Sequence, residues 1–342
     1  MTSELRGYDP GHWGHSLANA AEFLIPILDA VEPRFVVEVG AYAGDLTREL
    51  LAWADRHGAK VAAIDPSPEP ELERLARQRP DLELVRALSH EALKELRPPD
   101  AAILDGDHNY YTVSEELRLI AERAEPGPLP LLVLHDVCWP HGRRDTYWSP
   151  DATPPEHRHE MVEGGRLAPW DTGLVHEGIP FKWTATSEGG PRNGVLTALE
   201  DFAAARPGTR LAIIPAFFGV GVAWSEGAAW AQAVESLVSP WDRHPVLERL
   251  EANRVRHLVS EHARHVQLHD IHVELERLRR RIGTLEQRAA VYEQLLRSME
   301  HSRTLRLAGL LSRLRHPRRP ARWRQAVTQA LAGGGEGPAA DR

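Results

Sequence analysis

The chain has 342 residues, and its 41 basic and 49 acidic residues give a formal net charge of −8. This balance gives no reason to expect nucleic-acid binding by the whole chain, and 42% apolar with 26% charged residues is typical of a globular protein. The single cysteine, Cys138, excludes an intramolecular disulfide and indicates a reducing compartment. The sequence shows neither a signal-peptide pattern nor a run of about 18 apolar residues, so we predict a cytoplasmic location.

Apolar runs and helical patterns alternate along the first part of the chain. Strands are predicted at Phe35–Val39, 61–65, Leu82–Val85, Ala101–Leu104 and Leu131–His135, and helices between them at 46–56, 70–79, 90–96 and 112–123. Strands that alternate with helices indicate right-handed crossovers and one parallel sheet. Residues 1–34, ahead of the first strand, are predicted to form an N-terminal helical cap.

The first predicted strand ends in a glycine-containing turn, within the sequence FVVEVGAYAGD at residues 35–45. Gly40 and Gly44 would let the backbone approach a ligand, and the following helix points its free N–H groups at the same place. Asp65, at the end of the second strand, is placed to accept hydrogen bonds from both hydroxyls of a ribose. The motif therefore indicates a cofactor that contains adenosine, although a strand–helix turn without a ligand has the same pattern.

The spacing of the glycines distinguishes two classes of cofactor. A dinucleotide site has Gly-x-Gly-x-x-Gly because a pyrophosphate needs close backbone approach, whereas Ala-Tyr-Ala separates Gly40 from Gly44 here. Glu38 would also repel a pyrophosphate, but it suits the sulfonium and ammonium groups of S-adenosylmethionine (SAM). We therefore favour SAM over NAD.

Four ordered motifs carry a resemblance to a known family. They are Glu38-x-Gly40-x-x-x-Gly44, Asp65, LDGDHNYY at 104–111 and VLHDV at 133–137, and they resemble the class I SAM-dependent methyltransferases. The last two are similar to the branch that includes small-molecule and sugar O-methyltransferases and cephalosporin-hydroxylase-like proteins. The resemblance spans about residues 12–225 and implies a Rossmann-like, doubly wound sheet of seven strands in a domain over residues 35–240. It adds strands at 211–215 and 220–224, the last of them antiparallel.

The resemblance also implies which residues bind SAM. Glu38 would bind the methionine ammonium, Asp65 the ribose, and the turn at Leu88 and Ser89 the adenine. The full predicted set is Glu38, Gly40, Ala41, Tyr42, Gly44, Asp65, Leu88, Ser89 and Asp105.

Residues 136–208 form a segment that is too long for an ordinary connection. It follows the carboxyl end of a predicted strand, where parallel sheets bind ligands, so we interpret it as a substrate lid with a helix at 194–205. A purely structural insertion is the alternative. Arg143, Arg144, Asp145 and Tyr147 would suit a hydroxylated acceptor such as a sugar, because an aromatic face stacks on a pyranose while charged groups bind its hydroxyls.

Acids and imidazoles follow the fourth and fifth strands. Asp105 and His108 come after one strand, and His135 and Asp136 end the next, so neighbouring strands should bring them together beside the cofactor. Methyl transfer to an alcohol needs a base or a metal to activate the oxygen, and we predict His108 or His135 as the base. Simple structural roles for these four side chains remain open.

The resemblance to metal-dependent O-methyltransferases implies a divalent ion, Mg²⁺ or Mn²⁺, at Asp105 and Asp136. His135 stands where that branch has an oxygen ligand, which leaves Mg²⁺ in doubt because a hard ion prefers oxygen. His135 would then bind a softer ion, or it would act as the base with Asp136 orienting it.

These observations lead to one preferred function and two alternatives. We predict SAM-dependent O-methylation of a hydroxyl on a sugar or glycoconjugate. Cephalosporin-hydroxylase-like oxygenation on the same scaffold is one alternative, although the sequence shows no evident facial iron triad. A non-catalytic scaffold that recruits enzymes of envelope-glycan synthesis is the other.

The pattern changes beyond residue 240. Apolar residues recur with alternating spacings of three and four from Leu268 to Met299, which indicates a left-handed coiled coil within residues 241–301 and predicts a homodimer. Folding back onto the catalytic domain is the alternative partner for this stripe. Residues 302–342 form a tail that begins with leucines among many arginines, which indicates peripheral membrane contact or a solvated helix. Its last ten residues are predicted to be disordered.

Overall fold

The computed structural model describes residues 15–315 and 326–330. The strands are β1 (Phe35–Val39), β2 (Lys60–Ile64), β3 (Leu82–Val85), β4 (Ala101–Leu104), β5 (Leu131–His135), β6 (Met161–Glu163), β7 (Arg166–Leu167), β8 (Ile179–Pro180), β9 (Trp183–Ala185), β10 (Thr209–Ile214) and β11 (Val220–Ser225). The helices are α1 (Ala21–Val31), α2 (Asp45–His57), α3 (Pro70–Gln78), α4 (Ser89–Glu95), α5 (Tyr110–Ala124), α6 (Val195–Ala205), α7 (Ala231–Val238), α8 (Pro245–His301) and α9 (Arg303–Arg315).

Seven strands form one sheet in the order β10-β11-β5-β4-β1-β2-β3. The pairs among β1 to β5 are parallel, and β11 runs antiparallel to both of its neighbours. Every residue of β1, β4 and β5 is buried, because helices cover both faces of the sheet. The arrangement confirms the predicted Rossmann-like doubly wound sheet with its antiparallel last strand.

The two faces of the sheet have separate apolar cores. Leu24 of α1, Leu50 of α2 and Val234 of α7 belong to the cluster on one face. Leu117 of α5 and Leu199 of α6 belong to the cluster on the other face. Alternate residues of the same strands belong to the two clusters, so both faces of these strands are packed. The parallel pairing places the carboxyl ends of β1, β4 and β5 side by side.

The segment between β5 and β10 is organised by buried polar side chains. Asp145 accepts hydrogen bonds from the backbone N–H of Tyr110 (2.8 Å) and of Gly194 (2.7 Å), and from the Tyr147 hydroxyl (3.0 Å). The Arg144 guanidinium donates to the carbonyl oxygens of Ala185 and Thr172. Buried polar groups must be paired, and these groups are paired within the protein.

The predicted role of this cluster in acceptor binding is therefore wrong for three of its members. Arg144, Asp145 and Tyr147 are almost completely buried and serve to tie the insertion to α5 and α6. Arg143 is the exception, because it lies at the surface and its guanidinium forms an ion pair of 2.6 Å with Glu200. The insertion also contains two short antiparallel ribbons, which pair β6 with β9 and β7 with β8.

The first turns of α8 belong to the compact unit that ends at Arg264. Val255 and Val259 are buried in a small cluster that includes Phe218. The Glu251 carboxylate accepts hydrogen bonds from the backbone N–H of Phe217 (3.3 Å) and of Phe218 (2.8 Å). The unit thus extends beyond the predicted domain end at residue 240.

The second unit begins at His265 and contains the rest of α8 and α9. The apolar residues of the predicted coiled coil lie on an uninterrupted helix and are largely exposed. In α9, Leu307, Leu310, Leu311 and Leu314 are exposed as well. Most of the predicted tail, like residues 1–14 of the predicted cap, lies outside the described residues. Among the helices in the described ranges, none combines the length and apolarity required to cross a bilayer.

We expect a chain that ends at Arg264 to be as stable as the first unit is in the full chain. A chain that ends at residue 240 should be clearly less stable. Loss of residues 241–264 exposes the surface that Val255 and Val259 cover, which lowers the free energy of unfolding by roughly 1.5–3 kcal/mol for each side chain. It also removes the Glu251 carboxylate, which accepts hydrogen bonds from two backbone N–H groups. Thermal and urea unfolding of the two truncated chains, beside the full chain, measure the difference.

Equal stability of the two truncated chains would show that the first turns of α8 add nothing to the fold.

Candidate active site

The turn after β1 is shaped by its neighbour β4. Gly40 has a φ of +84°, and a Cβ atom at this position would lie 1.9 Å from the carbonyl oxygen of Asp105. No residue other than glycine fits, because the two strand ends approach each other through their backbones. The glycine therefore meets a requirement of the protein's own packing, and it brings Asp105 to the edge of the glycine turn.

A cavity of about 260 Å³ opens at this edge of the sheet. It is bordered by the loops that follow β1, β2, β3 and β4 and by two residues of the insertion. Its walls include Gly40, Tyr42, Asp65, Pro66, Ser67, Glu69, Leu88, Ser89, His90, Asp105, Gly106, Asp107, Thr112, Trp148 and Ala152. Six of the nine predicted cofactor residues are in this group: Gly40, Tyr42, Asp65, Leu88, Ser89 and Asp105.

Asp65 has free acceptor capacity at the cavity. One carboxylate oxygen accepts the Tyr42 N–H (2.8 Å), and the other accepts the Ser67 N–H (2.8 Å). A carboxylate oxygen has room for a further hydrogen bond, so both oxygens can still receive ribose hydroxyls. The residues present therefore fit an adenosine group at the position that the sequence predicts.

Glu38, Ala41 and Gly44 do not border the cavity. Glu38 is buried in β1, and its carboxylate accepts a hydrogen bond of 2.6 Å from the Thr47 hydroxyl of α2. Burial raises the pKa of Glu38 to about 8. The predicted direct contact with the methionine ammonium is thus not what this position provides, because the side chain ties β1 to α2 beneath the turn.

Several cavity residues were not predicted from the sequence. Ser67 follows Asp65 in a Pro-Ser turn, and this turn signal at the end of β2 could have identified it. Trp148 comes from the insertion, and its backbone N–H donates to Asp107 (3.0 Å). A nearby backbone hydrogen bond from Thr146 to the carbonyl oxygen of His108 (3.0 Å) holds the insertion against the same loop. No sequence signal near Trp148 indicates this long-range placement.

The four acids and imidazoles predicted at the ends of β4 and β5 do lie together. Nδ1 of His135 is 3.1 Å from Oδ1 of Asp105, and Nε2 of His108 is 2.8 Å from Oδ2 of Asp136. The second ring nitrogen of His135 lies 2.7 Å from the carbonyl oxygen of Phe217. We call these four side chains the Asp–His cluster. Asp105 belongs both to this cluster and to the cavity wall.

His141, from the insertion, extends the cluster. Its ring stacks on His108 with 4.4 Å between centroids, and its Nδ1 lies 2.8 Å from the Thr146 hydroxyl. His141 was not singled out from the sequence, because one histidine in a proline-rich stretch gives no signal of its own. Among the described residues, two groups have ligand atoms close enough to hold a metal ion: Asp105, His135 and Asp136, and His108, Asp136 and His141.

The carboxylates set the protonation of the imidazoles. Burial alone would lower the pKa of His135, but Asp136 and Asp105 outweigh it and raise the pKa to about 9. The pKa of His108 is raised well above its usual value for the same reason. Burial and the neighbouring His108 lower the pKa of His141 to about 3. In the absence of a cation, the cluster therefore consists of two acids paired with two imidazolium groups beside one neutral ring.

Two local features are typical of a functional site. Asp136 has a φ of +59°, a left-handed conformation that is costly for a residue with a side chain. Nε2 of His108 is buried, and its 2.8 Å contact with Asp136 has the distance of a hydrogen bond but not the direction of one. We therefore describe that contact as an ion pair.

Comparison with known proteins finds a family match over part of this domain. Residues 37–137, from β1 to just beyond β5, match the family model described as a methyltransferase domain. No curated protein matches the chain. Similar solved structures include the SAH-bound methyltransferase PaMTH1 of Podospora anserina, with 15% identity over 66% of this chain and 89% of that chain and a TM-score of 0.38. Another is human N-acetylserotonin methyltransferase in complex with SAM, with 14% identity over 63% of this chain and 55% of that chain and a TM-score of 0.36.

We expect Asp65→Ala to weaken SAM binding more than about tenfold, since the loss of a charge-assisted hydrogen bond costs roughly 1.5–3 kcal/mol. Asp65→Asn should weaken binding less, because its amide oxygen still accepts one hydrogen bond. Titration calorimetry with SAM measures both variants, and NAD should not bind to either or to the wild type.

Asp55→Ala on the outer side of α2 is the matched control and should bind SAM like the wild type. Thermal unfolding of each variant checks that the loop remains folded. Unchanged affinity in Asp65→Ala would remove this residue from the cofactor site.

We expect the buried Glu38 carboxyl to make the SAM-free protein less stable as the pH rises from about 4.5 to 8. Its folded pKa is about 8, whereas its ordinary value is 4.5. In this window the folded chain keeps a proton that the unfolded chain has lost, so the free energy of unfolding falls by up to about 1.4 kcal/mol per pH unit. Glu38→Gln should remove this part of the slope in urea unfolding at several pH values.

Glu71→Gln, an exposed position on α3, should leave the slope as it is in the wild type. Parallel pH profiles for wild type and Glu38→Gln would contradict the assignment.

Proposed function

We propose that this class I SAM-dependent methyltransferase transfers its methyl group to a hydroxyl oxygen of a sugar or glycoconjugate. The match to a methyltransferase domain over residues 37–137 and the seven-stranded sheet support the enzyme class, and the free acceptor capacity of Asp65 supports an adenosine cofactor. The observation that carries the choice of an oxygen acceptor is the double position of Asp105. Because this residue borders the cavity and also contacts His135, the cavity and the Asp–His cluster share one carboxylate.

Accessibility favours His108 over His135 as the base. The His135 side chain is fully enclosed, and both of its ring nitrogens lie against protein oxygen atoms. The His108 side chain keeps 26% of its surface exposed. Its buried Nε2 faces Asp136, so its Nδ1 is the nitrogen left to accept a proton. A positive charge bound beside Asp105 and Asp136, on SAM or on a divalent cation, would favour loss of the imidazolium proton and leave the neutral ring that a base requires. Asp136 and Asp105 would then stabilise the resulting imidazolium.

When bound, SAM would supply an electrophilic methyl carbon, to which the acceptor oxygen would bond as the carbon–sulfur bond breaks and S-adenosylhomocysteine leaves. The hydroxyl proton would pass to Nδ1 of the neutral His108 ring. The chain contributes placement, through the walls of the cavity, and removal of the proton, through the Asp–His cluster.

A divalent cation fits the cluster as well. Asp105 and Asp136 would hold it, and it would supply Lewis acidity at the acceptor oxygen while offsetting the negative charge around His108. The nearby nitrogen atoms of His135, His108 and His141 make the donor set better suited to Mn²⁺ or a softer ion than to Mg²⁺. His108, Asp136 and His141 have the composition of a facial iron triad, two histidines and one carboxylate, which the sequence alone did not reveal. Because the family match is to a methyltransferase domain, we propose methyl transfer and not oxygenation.

Trp148 is the cavity residue that supports a sugar acceptor. It borders the cavity and is 49% exposed, and Nζ of Lys182 lies 5.5 Å from the centroid of its ring. An exposed indole face beside a cation is a suitable surface for a pyranose and its hydroxyls. This pair takes the place of the buried Arg144, Asp145 and Tyr147.

Methyl-labelled SAM incubated with nucleotide sugars, glycosides, phenols and coenzyme A thioesters tests the acceptor class. We expect the label in a sugar methyl ether, identified by hydrolysis of the product and mass spectrometry. Trp148→Ala should raise the KM for that sugar with a smaller effect on SAM binding. Transfer only to phenols or amines would refute the sugar assignment, and failure to bind SAM would favour a non-catalytic scaffold.

We expect His108→Gln to lower kcat by about 10²- to 10⁴-fold, the usual contribution of general-base catalysis, and to change the Kd for SAM by less than about threefold. The glutamine keeps polar atoms near Asp136 but cannot accept the proton. Radiolabel transfer to the sugar identified above gives kcat, and calorimetry gives the affinity for SAM.

His157→Gln, outside the cluster, should retain the wild-type rate. The same assay after dialysis against EDTA, with Mn²⁺ or Mg²⁺ added back, separates metal assistance from proton transfer alone. Full turnover in His108→Gln would exclude this residue as the base.

A further inference from the structure

The proposed enzyme site does not use the exposed apolar stripe of α8. Eight of its ten members are large side chains with 41–65% of their surface exposed. We call this stripe the seam; it consists of Leu268, Ile271, Leu275, Leu278, Ile282, Leu285, Ala289, Tyr292, Leu296 and Met299. We infer that the seam pairs with the seam of a second copy of this chain, in a parallel, in-register two-stranded coiled coil.

The spacing within the seam sets a single heptad register. With Leu268 at position a, the a positions continue every seven residues to Leu296, and the d positions run from Ile271 to Met299. The helix is uninterrupted from Pro245 to His301, so all ten positions face one side. At the centre, Ile282 at a and Leu285 at d are the combination that favours two parallel strands.

The charges beside the seam identify the partner and its direction. In the g positions the chain has Glu274, Arg281 and Arg288, and in the e positions it has Arg279, Glu286 and Glu293. In a parallel, in-register pair, each g residue faces the e residue five positions later on the partner. The three pairs of one side are then Glu274 with Arg279, Arg281 with Glu286, and Arg288 with Glu293. All three pairs are attractive, and the symmetry of the dimer repeats them on the other side.

An antiparallel pair satisfies fewer of the same charges. There, g positions face g positions and e positions face e positions. With the three heptads fully overlapped, Arg281 would meet its own copy in the middle of one row, and Glu286 would meet its own copy in the other. The sequence of charges therefore discriminates between the two directions, as e and g residues do in coiled coils.

Within a single chain these charges have only weak local partners. Glu274 lies 3.5 Å from Arg277, Arg279 lies 2.8 Å from Glu276, and Glu293 lies 3.7 Å from Arg297. All are exposed pairs on the helix surface, which contribute little. The charges can therefore rearrange toward a partner, so that the seam supplies affinity while the flanking charges supply register and direction.

A charge exchange in the full-length chain tests the inference. One variant combines Arg281→Glu with Arg288→Glu, and the other combines Glu286→Arg with Glu293→Arg. Each variant alone converts two attractive pairs on each side into repulsive ones, so its dimer should be at least about tenfold weaker than the wild type. In an equimolar mixture every altered pair is attractive again, and the heterodimer should recover wild-type affinity. Differently tagged chains followed by native mass spectrometry and light scattering distinguish the species.

A cysteine at the d position reports direction and register independently. In the parallel, in-register pair, Leu278→Cys places two thiols opposite each other, and mild oxidation should yield a covalent dimer. Glu276→Cys, at an outer b position, should not, and the wild-type chain with its Cys138 gives the background. The inference is overturned by a monomeric full-length chain at micromolar concentration, by failure of the mixed variants to recover, or by a dimer that Leu278→Cys does not cross-link. None of these readouts depends on methyl transfer.

Discussion

The contact on which the site depends is the approach of the β1 and β4 ends, where no side chain fits between Gly40 and the Asp105 carbonyl. This approach fixes the glycine turn against the loop after β4. The carboxylate of Asp105 consequently serves two places at once, the wall of the cofactor cavity and the ion pair with His135. A larger residue at position 40 would separate these strand ends and with them the two halves of the site.

The insertion between β5 and β10 supplies further residues to the site that the strand ends form. Asp145, buried and hydrogen-bonded to Tyr110 and Gly194, anchors the insertion to the helices on one face of the sheet. That anchor places His141 over His108 and Trp148 beside the cavity. The segment is therefore both a structural insertion and a contributor to the site, and the two interpretations of it from the sequence do not exclude each other.

The sheet could be predicted from the sequence because its strands are buried on both faces. Runs such as those of β1 and β5 contain so few polar residues that their bounds follow directly from composition, and parallel pairing then places their carboxyl ends together. The meeting of Asp105, His108, His135 and Asp136 followed from this topology alone. The cavity residues after β2 and β4 are local to the same strand ends, although only Asp65 and Asp105 among them were predicted as cofactor residues.

The remaining features depend on contacts between residues far apart in the sequence. Arg144, Asp145 and Tyr147 have the composition of a sugar site, and only the hydrogen bonds to Ala185, Gly194 and Tyr110 reveal that they form an internal anchor. His141 and Trp148 gain their positions from that same anchor. The first unit ends at Arg264, beyond the end predicted at residue 240. The Glu251 carboxylate accepts hydrogen bonds from the backbone N–H groups of Phe217 and Phe218, and the periodicity of α8 gives no sign of these long-range contacts.

Buried carboxyl groups near the cavity divide according to their partners, and this division decides where negative charge is available. Glu38 and Glu116 have no cationic neighbour strong enough to offset burial, and the pKa of each is raised to about 8. The imidazoles of His135 and His108 outweigh burial for Asp136 and hold its pKa well below the usual value. Ionised carboxylates are therefore retained where β4 and β5 end, each balanced by an imidazolium, whereas the carboxyl groups beneath β1 and α5 keep their protons. Asp105 is consequently the carboxylate that brings the charged cluster to the edge of the cavity.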